Sequence, residues 1–348
     1  MIFFIAHDPG DAVATIKEVA HEAGVSVATV SRVVNKNGYV SEERRVRVVE
    51  AMRHLDYKPS AVARSLRRQE SLTIGVLVPG IHQPFFAALA FVIQKTLFAS
   101  DYRVLMCSSE EDASKEAAYV DMLLHQRVDG VIVAPTGHGS ETIHPLLSRM
   151  PVILVDRDLP DLALTRVLAD NFRGGYDAMT HLIALGHTRI AVIGGPPYSR
   201  AMEQRTDGAR RACADAGVVL DSSMVLMSEL SEFKMGFELA LDLLRRHPRP
   251  TAIFALTDVV AVGVMHASAE LKLSLPHDLS VIGFDDIPLA SYIIPALTTI
   301  AQPIERMAET AARLLLERLK NGVNESFETV TLDMKLMQRA STAAPRGS

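Results

Sequence analysis

Thr15-Ile-Lys-Glu18-Val-Ala-His-Glu-Ala-Gly24-Val-Ser26-Val-Ala-Thr29-Val-Ser-Arg32-Val-Val-Asn35 is the stretch from which this 348-residue chain is best read. Thr15 followed by Glu18 has the spacing of a capping box and predicts a helix start. Ile16, Val19, Ala20 and Ala23 form an apolar stripe behind it. Gly24 stops the helix, because glycine accepts the left-handed conformation of a tight turn. Ser26 caps a second helix with Val27, Val30, Val33 and Val34 at helical period. Two helices this short, joined so tightly, must cross steeply. Small Ala20 permits the approach and Val30 fills the angle, which is helix-turn-helix geometry.

Outward from this pair, a third helix is expected from its cap at Ser41 to about Asp56, with Val46, Val49, Met52 and Leu55 facing inward. The second helix then presents Ser26, Ala28, Thr29, Arg32 and Asn35 to solvent. Arg32 can make a bidentate contact to guanine, and the hydroxyls and the amide suit phosphate oxygens. The plainer alternative is a helical hairpin used for protein contacts. After Tyr57-Lys-Pro59 comes Ser60-Ala-Val-Ala-Arg64-Ser-Leu66-Arg-Arg68. A helix capped by Ser60 is too short to stand alone and is expected to order only when docked. Leu66 among Arg64, Arg67 and Arg68 fits an apolar wedge entering a minor groove. A flexible linker with one incidental leucine is the alternative.

Charge supports a division of labour. Residues 12–69 hold 11 Lys and Arg against 6 Asp and Glu, whereas the whole chain has a net charge of −5. A basic head on an acidic body suggests that the head alone meets a polyanion. The pattern V-A-x-x-A-G-V-S-x-x-T-V-S-R-V-x-N, then Val40-Ser-x-x-x-Arg45, then Tyr57-x-Pro-x-x-x-Ala-x-x-Leu66, resembles the head and hinge of the LacI/GalR family of bacterial transcription regulators. That resemblance implies two heads of a homodimer on a pseudo-palindromic operator, with hinge leucines kinking the DNA. By position it implies base reading and wedging by Ser26, Val27, Ala28, Arg32 and Leu66. It implies backbone contacts from Thr15, Thr29, Ser31, Asn35, Tyr57 and Ser60. The apolar Val27-Ala28 pair would leave hydrogen-bond readout mainly to Arg32.

From Leu72 the pattern alternates between apolar strands and amphipathic helices. Strands are expected at 73–78, 103–106, 130–134, 152–155, 189–193, 252–255, 280–284 and 298–301, with helices such as 85–99, 115–126, 174–185 and 259–271. Continuous apolar strands separated by helices imply parallel sheets covered on both faces. Some 270 residues of this suit two Rossmann-like lobes. Ligands in such sheets sit beyond the carboxyl ends of the strands, here facing each other across a cleft. Those ends carry Pro79 to Phe86, Asp156-Arg157, Thr257-Asp258, Asp285-Asp286 and Gln302, and Arg205 lies where a helix faces the cleft. Carboxylate, guanidinium and amide groups pair well with sugar hydroxyls, and ring C–H faces stack on aromatics. Any one of these residues alone would more often be a loop ion pair or a helix cap.

The body resembles the family's effector-binding core, itself similar to periplasmic sugar-binding proteins. The stretches that carry the resemblance are Val128-Asp-Gly, Leu185-Gly-His-Thr-Arg-Ile, Ile193-Gly-Gly-Pro, Val281-Ile-Gly-Phe-Asp-Asp-Ile-Pro-Leu-Ala and Leu297-Thr-Thr-Ile-Ala-Gln-Pro303. It implies effector contacts from Gln83, Phe85, Phe86, Asp156, Arg157, Arg205, Thr257, Asp285 and Gln302. Arg157, Arg205 and Asp285 would clamp hydroxyls while Phe85 and Phe86 face the ring. Thr257 departs from the asparagine of many members. The aromatic wall before Gly236 falls on Ser231, with Phe233 two residues on. The set resembles ribose-type pockets, so a pentose is the expected effector of a sugar-utilisation repressor. A nucleoside- or purine-responsive regulator is the alternative within the family, and a sugar receptor without a DNA role the alternative outside it.

The expected class is therefore an all-α helix-turn-helix head with a hinge helix, then an α/β periplasmic-binding-protein-like core of two Rossmann-like lobes. The expected boundaries are an extension at 1–13, the head at 14–59, the hinge at 60–70, the core at 71–337 and a tail at 338–348. Lobe 1 would take 71–170 and 304–330, and lobe 2 would take 171–303 and 331–337. The tail has no heptads, so no tetramer through a zipper is expected. Apolar residues at 48% and charged residues at 22% exclude general disorder. Cys107 and Cys213 cannot build a disulfide framework, and a reduced cytosolic compartment is expected. No apolar run reaches the roughly 18–20 residues that cross a bilayer, and Met1 to Ala6 lacks the positive region of a signal peptide. No phosphate loop, Gly-x-Gly-x-x-Gly, Gly-x-Ser-x-Gly or His-Glu-x-x-His occurs, so neither an enzyme, a metal nor a cofactor is expected.

Overall fold

The computed structural model describes residues 14–34, 37–57, 70–229, 232–322 and 326–346. The expectations for residues 1–13, Asn35, Ser231 and the hinge with Ser60, Arg64 and Leu66 lie outside these residues. Two compact units form, one ending at Ser71 and the other beginning at Leu72.

The first unit holds α1 (Ile16–Glu22), α2 (Val27–Val34) and α3 (Glu42–His54). The Thr15–Glu18 capping box forms reciprocally. Gly24 takes φ 60°, and Val25 N–H returns to the Ala20 carbonyl at 3.0 Å. Thr29 N–H donates to Ser26 Oγ at 3.2 Å and so caps α2. Val19, Ala20, Ala23, Val30, Val48 and Ala51 are the buried core, with Ile16, Met52, Leu55 and Tyr57 packed around it. The expected inward face of α3 is corrected, because Val46 and Val49 are 45% and 43% exposed. A strict three-residue spacing drifts by about 60° per step around a helix of 3.6 residues per turn. Val48, Ala51, Met52 and Leu55 stay on one stripe, and the core follows them.

The second unit carries two six-stranded sheets. The first contains β1 (Thr73–Val78), β2 (Arg103–Ser108), β3 (Gly130–Val133), β4 (Val152–Val155), β5 (Thr165–Ala169) and β11 (Thr329–Leu332) in the order β11-β5-β4-β3-β1-β2. The second contains β6 (Ile190–Gly194), β7 (Val225–Met227), β8 (Ala252–Ala255), β9 (Ser280–Asp285), β10 (Thr298–Ala301) and β12 (Lys335–Met337) in the order β12-β10-β9-β8-β6-β7. All pairings are parallel except β10 with β12. The helices are α4 (Pro84–Phe98), α5 (Ala113–Gln126), α6 (His144–Leu147), α7 (Asn171–Ala184), α8 (Arg200–Asp215), α9 (Phe233–Leu244), α10 (Asp258–Glu270), α11 (Leu289–Tyr292) and α12 (Ile304–Asn321).

The period of two along each strand divides its side chains between two cores. Ile74, Val76 and Val78 meet α4 and α12 on one face of the first sheet. Leu77, Val131 and Val133 meet α5 and α6 on the other. The second sheet divides likewise, with Ile253 and Ala255 on one face and Phe254 and Phe284 on the other. Both sheets therefore read as continuous apolar runs, as expected. The short strands β5, β7, β11 and β12 escaped the sequence reading, since β5 carries Arg166 and β12 is exposed at all three residues. Strand β11 joins the first sheet as far as Leu332, so the return to lobe 2 falls after it and not at 331.

The reading of a tail from residue 338 is corrected as well. Ser341 is fully buried, its carbonyl accepts Val281 N–H at 2.8 Å, and its Oγ accepts Thr298 N–H at 2.8 Å. Ala-Ser-Thr-Ala-Ala has no apolar pattern to reveal this, because hydroxyl-to-backbone bonds hold the segment. His187 and His181 clasp the same segment. His187 Nδ1 meets Thr251 Oγ1 and Nε2 meets the Ala343 carbonyl, each at 2.9 Å, and His181 Nε2 meets Thr342 Oγ1 at 2.9 Å. Cys107 and Cys213 are buried free thiols. No helix among the described residues is long and apolar enough to cross a membrane.

Burial lowers the pKa of His187 from 6.5, opposed by its bond to the Ala343 carbonyl. The unfolded chain therefore binds the proton first, and the native state loses stability as pH falls below 6.5. The contribution of His187 is read by thermal denaturation as the difference in Tm between the parent and His187→Asn. The variant should lose about 1–3 kcal/mol at pH 7.5 through its lost buried hydrogen bonds, and that difference is expected to shrink from pH 7.5 to 5.5.

Candidate functional site

Two surfaces carry chemistry. On the head, Ser26, Val27, Ala28 and Arg32 are exposed along α2, and Thr29 and Ser31 are half-buried. The Arg32 side chain lies beside Gly38, whose missing Cβ would stand 3.5 Å from Arg32 Cδ. Thr15 is exposed and its hydroxyl donates to Glu18 at 2.9 Å. Tyr57 is half-buried against the head's core. Ser26, Val27, Ala28 and Arg32 are thus all open to solvent at the start of α2 and along it, while Thr15 and Tyr57 serve local structure in the free head.

In the second unit, one narrow cleft is lined by Gln83, Phe85, Phe86, Asp156, Arg157, Arg205, Thr257, Asp285 and Gln302. The structure brings together all nine residues named from the sequence. Each comes from the carboxyl end of a strand or the first turns of the helix that follows. Gln83, Phe85 and Phe86 follow β1, and Asp156 and Arg157 follow β4. Thr257 follows β8 and caps α10, its Oγ1 accepting Val260 N–H at 3.3 Å. Asp285 ends β9, and Gln302 follows β10. Gly195, Pro196, Ser199, Ala201 and Met202 complete the lining. Sequence reasoning missed Ser199, whose only signal was its place before the helix bearing Arg205. Phe233 is 43% exposed and is not part of the lining.

The buried charges determine what the cleft can do. Arg157 reaches both carboxylate oxygens of Glu111, at 2.6 and 2.7 Å, and the carbonyls of Pro135 and Thr136. Arg157, expected from the sequence to help clamp hydroxyls, thus lines the cleft with its guanidinium already paired to a carboxylate. Its guanidinium is held within its own lobe by a residue that the sequence hid in the acidic run Glu110-Glu111-Asp112. Burial opposes its charge, but Glu111 and Asp156 outweigh burial and its pKa rises. Arg205 donates from Nε to Asn171 Oδ1 at 2.8 Å and from Nη1 to the Leu256 carbonyl at 2.6 Å. It lies 3.7 Å above the Phe284 ring and 3.6 Å from Asp285. Burial lowers its pKa, with Asp285 and Asp156 opposing.

The carboxylates respond in turn. Burial pushes Asp285 up to about 7 against the pull of Arg205 and the 2.8 Å bond from Gln302 Nε2. Burial also raises Asp156, with Arg205 and Arg157 opposing. Asp156 and Asp285 take φ of 65° and 119°, conformations that side chains other than glycine rarely adopt. Asp258, expected beside the cleft, instead accepts Ile287 N–H at 2.9 Å and the Thr299 hydroxyl at 2.6 Å, bracing the turn after Asp285. Asp286 turns to Arg339 at 2.6 Å. Among the described residues, no group of His, Cys, Asp and Glu could hold a metal ion. Three buried side-chain atoms have no hydrogen-bond partner there: Asp156 Oδ1, Ser199 Oγ and Gln302 Oε1. All three residues line this cleft.

Residues 15–60 match the model of bacterial regulatory proteins of the lacI family, and residues 179–342 match that of a periplasmic binding protein-like domain. The chain is similar to the HTH-type transcriptional repressor PurR of Erwinia tasmaniensis, with 37% identity over 95% of this chain and 97% of the relative. Its structure is similar to the lac repressor dimer bound to operator and the anti-inducer ONPF, with 28% identity, TM-score 0.84, and coverage of 95% and 100% of the two chains. It is also similar to a LacI family transcriptional regulator from Enterococcus faecium with bound ribose. There the identity is 32% and the TM-score 0.71, over 78% of this chain and 99% of the other.

A carboxyl group raised from 3.8 to about 7 binds its proton in the native state before the unfolded one. Native stability therefore falls as pH rises between those values. Asp285→Asn removes this term while keeping the shape. The ligand-free variant is expected to match or exceed the parent's Tm at pH 8, with the gap closing towards pH 4, as calorimetric melting curves would show.

Proposed function

The chain belongs to the lacI family of bacterial regulatory proteins and is a DNA-binding transcriptional repressor; on that premise we propose that a pentose such as ribose, bound between its lobes, sets its operator affinity. The observation that carries this reading is the set of three unpartnered buried oxygens in the cleft. A buried polar atom without a partner costs about 1–3 kcal/mol, and here three converge from three segments of chain. A sugar hydroxyl both donates and accepts, and one ring carries several of them. The bound ribose of the Enterococcus faecium regulator supports the same choice.

A purine or nucleoside is the second reading, favoured by relatives that carry the name PurR at 35–37% identity. A base and a sugar ring both stack on an open aromatic face, so the Phe85–Phe86 pair, edge to face at 5.1 Å with Arg157 5.6 Å over the Phe86 ring, does not separate the two readings.

On DNA, two copies of α2 would enter successive major grooves of a pseudo-palindromic operator, which requires a homodimer. Exposed Phe91 and Phe98 on α4, at 65% and 59%, are apolar surface of the kind a second copy would cover. Any shift in operator affinity is bounded by the sugar's differential affinity for two arrangements of the lobes, typically about 1–3 kcal/mol, and is reciprocal.

Arg32→Ala is expected to cost about 1–3 kcal/mol per half-site and to relax preference at one base pair. An operator library in which the base preference is unchanged would reject that role. For the effector, titration calorimetry of the full chain with ribose, adenosine and hypoxanthine decides between the readings. Heat from ribose that Asp285→Ala abolishes supports the sugar, and heat from hypoxanthine alone supports the purine.

A further inference from the structure

A second depression, open to solvent, is lined by Glu110, Glu111, Asp112, His138, Tyr198 and Glu229, among others. It lies next to the effector cleft, because Glu111 lines it while gripping Arg157 of the cleft. Both lobes contribute to it. Glu110, Glu111, Asp112 and His138 follow strands of the first sheet, and Tyr198 and Glu229 follow strands of the second. The rings of His138 and Tyr198 meet across the lobes with centroids 3.9 Å apart. Four carboxylates thus stand at the approach to the buried site, two of them paired, Glu110 with Lys115 and Glu111 with Arg157, and Asp112 and Glu229 in no ion pair among the described residues.

The inner cleft has the same bias, stated in donors and acceptors. The groups that could receive an anion are the two guanidiniums, and both are directed at protein acceptors. Two of the three unpartnered atoms, Asp156 Oδ1 and Gln302 Oε1, are acceptors, and the third is the Ser199 hydroxyl. Asp156 and Gln302 are 5% and 6% exposed. Such a site satisfies ligands that donate. The phosphate group of an ester, once ionised, brings only acceptors and carries about −2 charge. To hold it, Arg157 would have to release Glu111 and leave that carboxylate buried without a counter-charge, which is strongly unfavourable.

We propose that the acidic outer cavity and the acceptor-rich inner cleft together select uncharged, hydroxyl-bearing ligands and reject their phosphate esters. Resting on the sugar reading above, this makes the effector the free sugar rather than a phosphorylated product of its metabolism. The repressor then senses the compound before a kinase has acted on it.

The test is titration calorimetry of the full chain with two matched pairs, ribose against ribose 5-phosphate and adenosine against adenosine 5′-monophosphate. In the pair that binds, the phosphorylated member is expected to be on the order of 100-fold weaker. The double variant Glu110→Gln, Glu229→Gln should narrow that ratio to about 10-fold, and salt should narrow it in the parent by screening the outer carboxylates. A phosphorylated member that binds as tightly as its neutral partner overturns the proposal, as does a ratio that neither the double variant nor salt changes. If adenosine binds and ribose does not, the sugar reading fails while phosphate rejection is judged on the nucleoside pair. If none of the four binds, both fail.

Discussion

A guanidinium taken out of water persists only where its N–H groups find acceptors and its charge finds an opposite one. Arg205 is 2% exposed, and three segments of chain meet its demands. Asn171 opens α7, the Leu256 carbonyl ends β8, Phe284 and Asp285 end β9, and each reaches the same side chain. The backbone is brought close enough by two glycines. A Cβ on Gly175 would overlap the Arg205 carbonyl, and one on Gly208 would overlap that of Phe172. Helices α7 and α8 therefore cross at backbone contact, and Arg205 is held at the carboxyl ends of the second sheet. Arg157 answers the same constraint in lobe 1 with a bidentate carboxylate, Glu111.

Because these charges are satisfied internally, the residual chemistry of the cleft is oxygen. Asp156 and Asp285 sit in conformations that cost energy, their ionised forms are disfavoured by burial, and one oxygen of Asp156 is unpartnered. Binding surfaces often keep such unfavourable groups where a ligand can relieve them. The turn that presents Asp285 is braced from both sides, by Asp258 on Ile287 N–H and by Arg339 on Asp286. Arg339 lies in the C-terminal segment threaded into lobe 2, so this segment supports the cleft as well as the fold.

The head follows a simpler economy. Six small buried residues, Val19, Ala20, Ala23, Val30, Val48 and Ala51, hold three helices. Caps at Thr15 and Ser26 and the left-handed Gly24 determine where the first two begin and turn. Each of these interactions spans four residues or fewer of chain, or one stripe of one helix. That is why its motif is legible without tertiary information, apart from α3. There, valines at 46, 48 and 49 offered competing faces, and only packing against α1 and α2 chose Val48.

By itself the sequence determined the helix-turn-helix and the main strands of both sheets, and its strand ends together with the family resemblance pointed to nine of the fourteen residues that line the cleft. Those signals are local: caps, turn glycines, apolar runs, and polar residues placed just beyond strand ends. The tertiary structure alone decided how the polar groups pair. Glu111 joins Arg157 across 46 positions, Arg339 joins Asp286 across 53, and Ser341 reaches Val281 across 60. No periodicity encodes such partnerships, because a buried charge takes whichever acceptor the sheets bring within 3 Å or so. Hence a run of three acidic residues hid the counter-ion of the site, and a segment without apolar pattern hid a buried anchor.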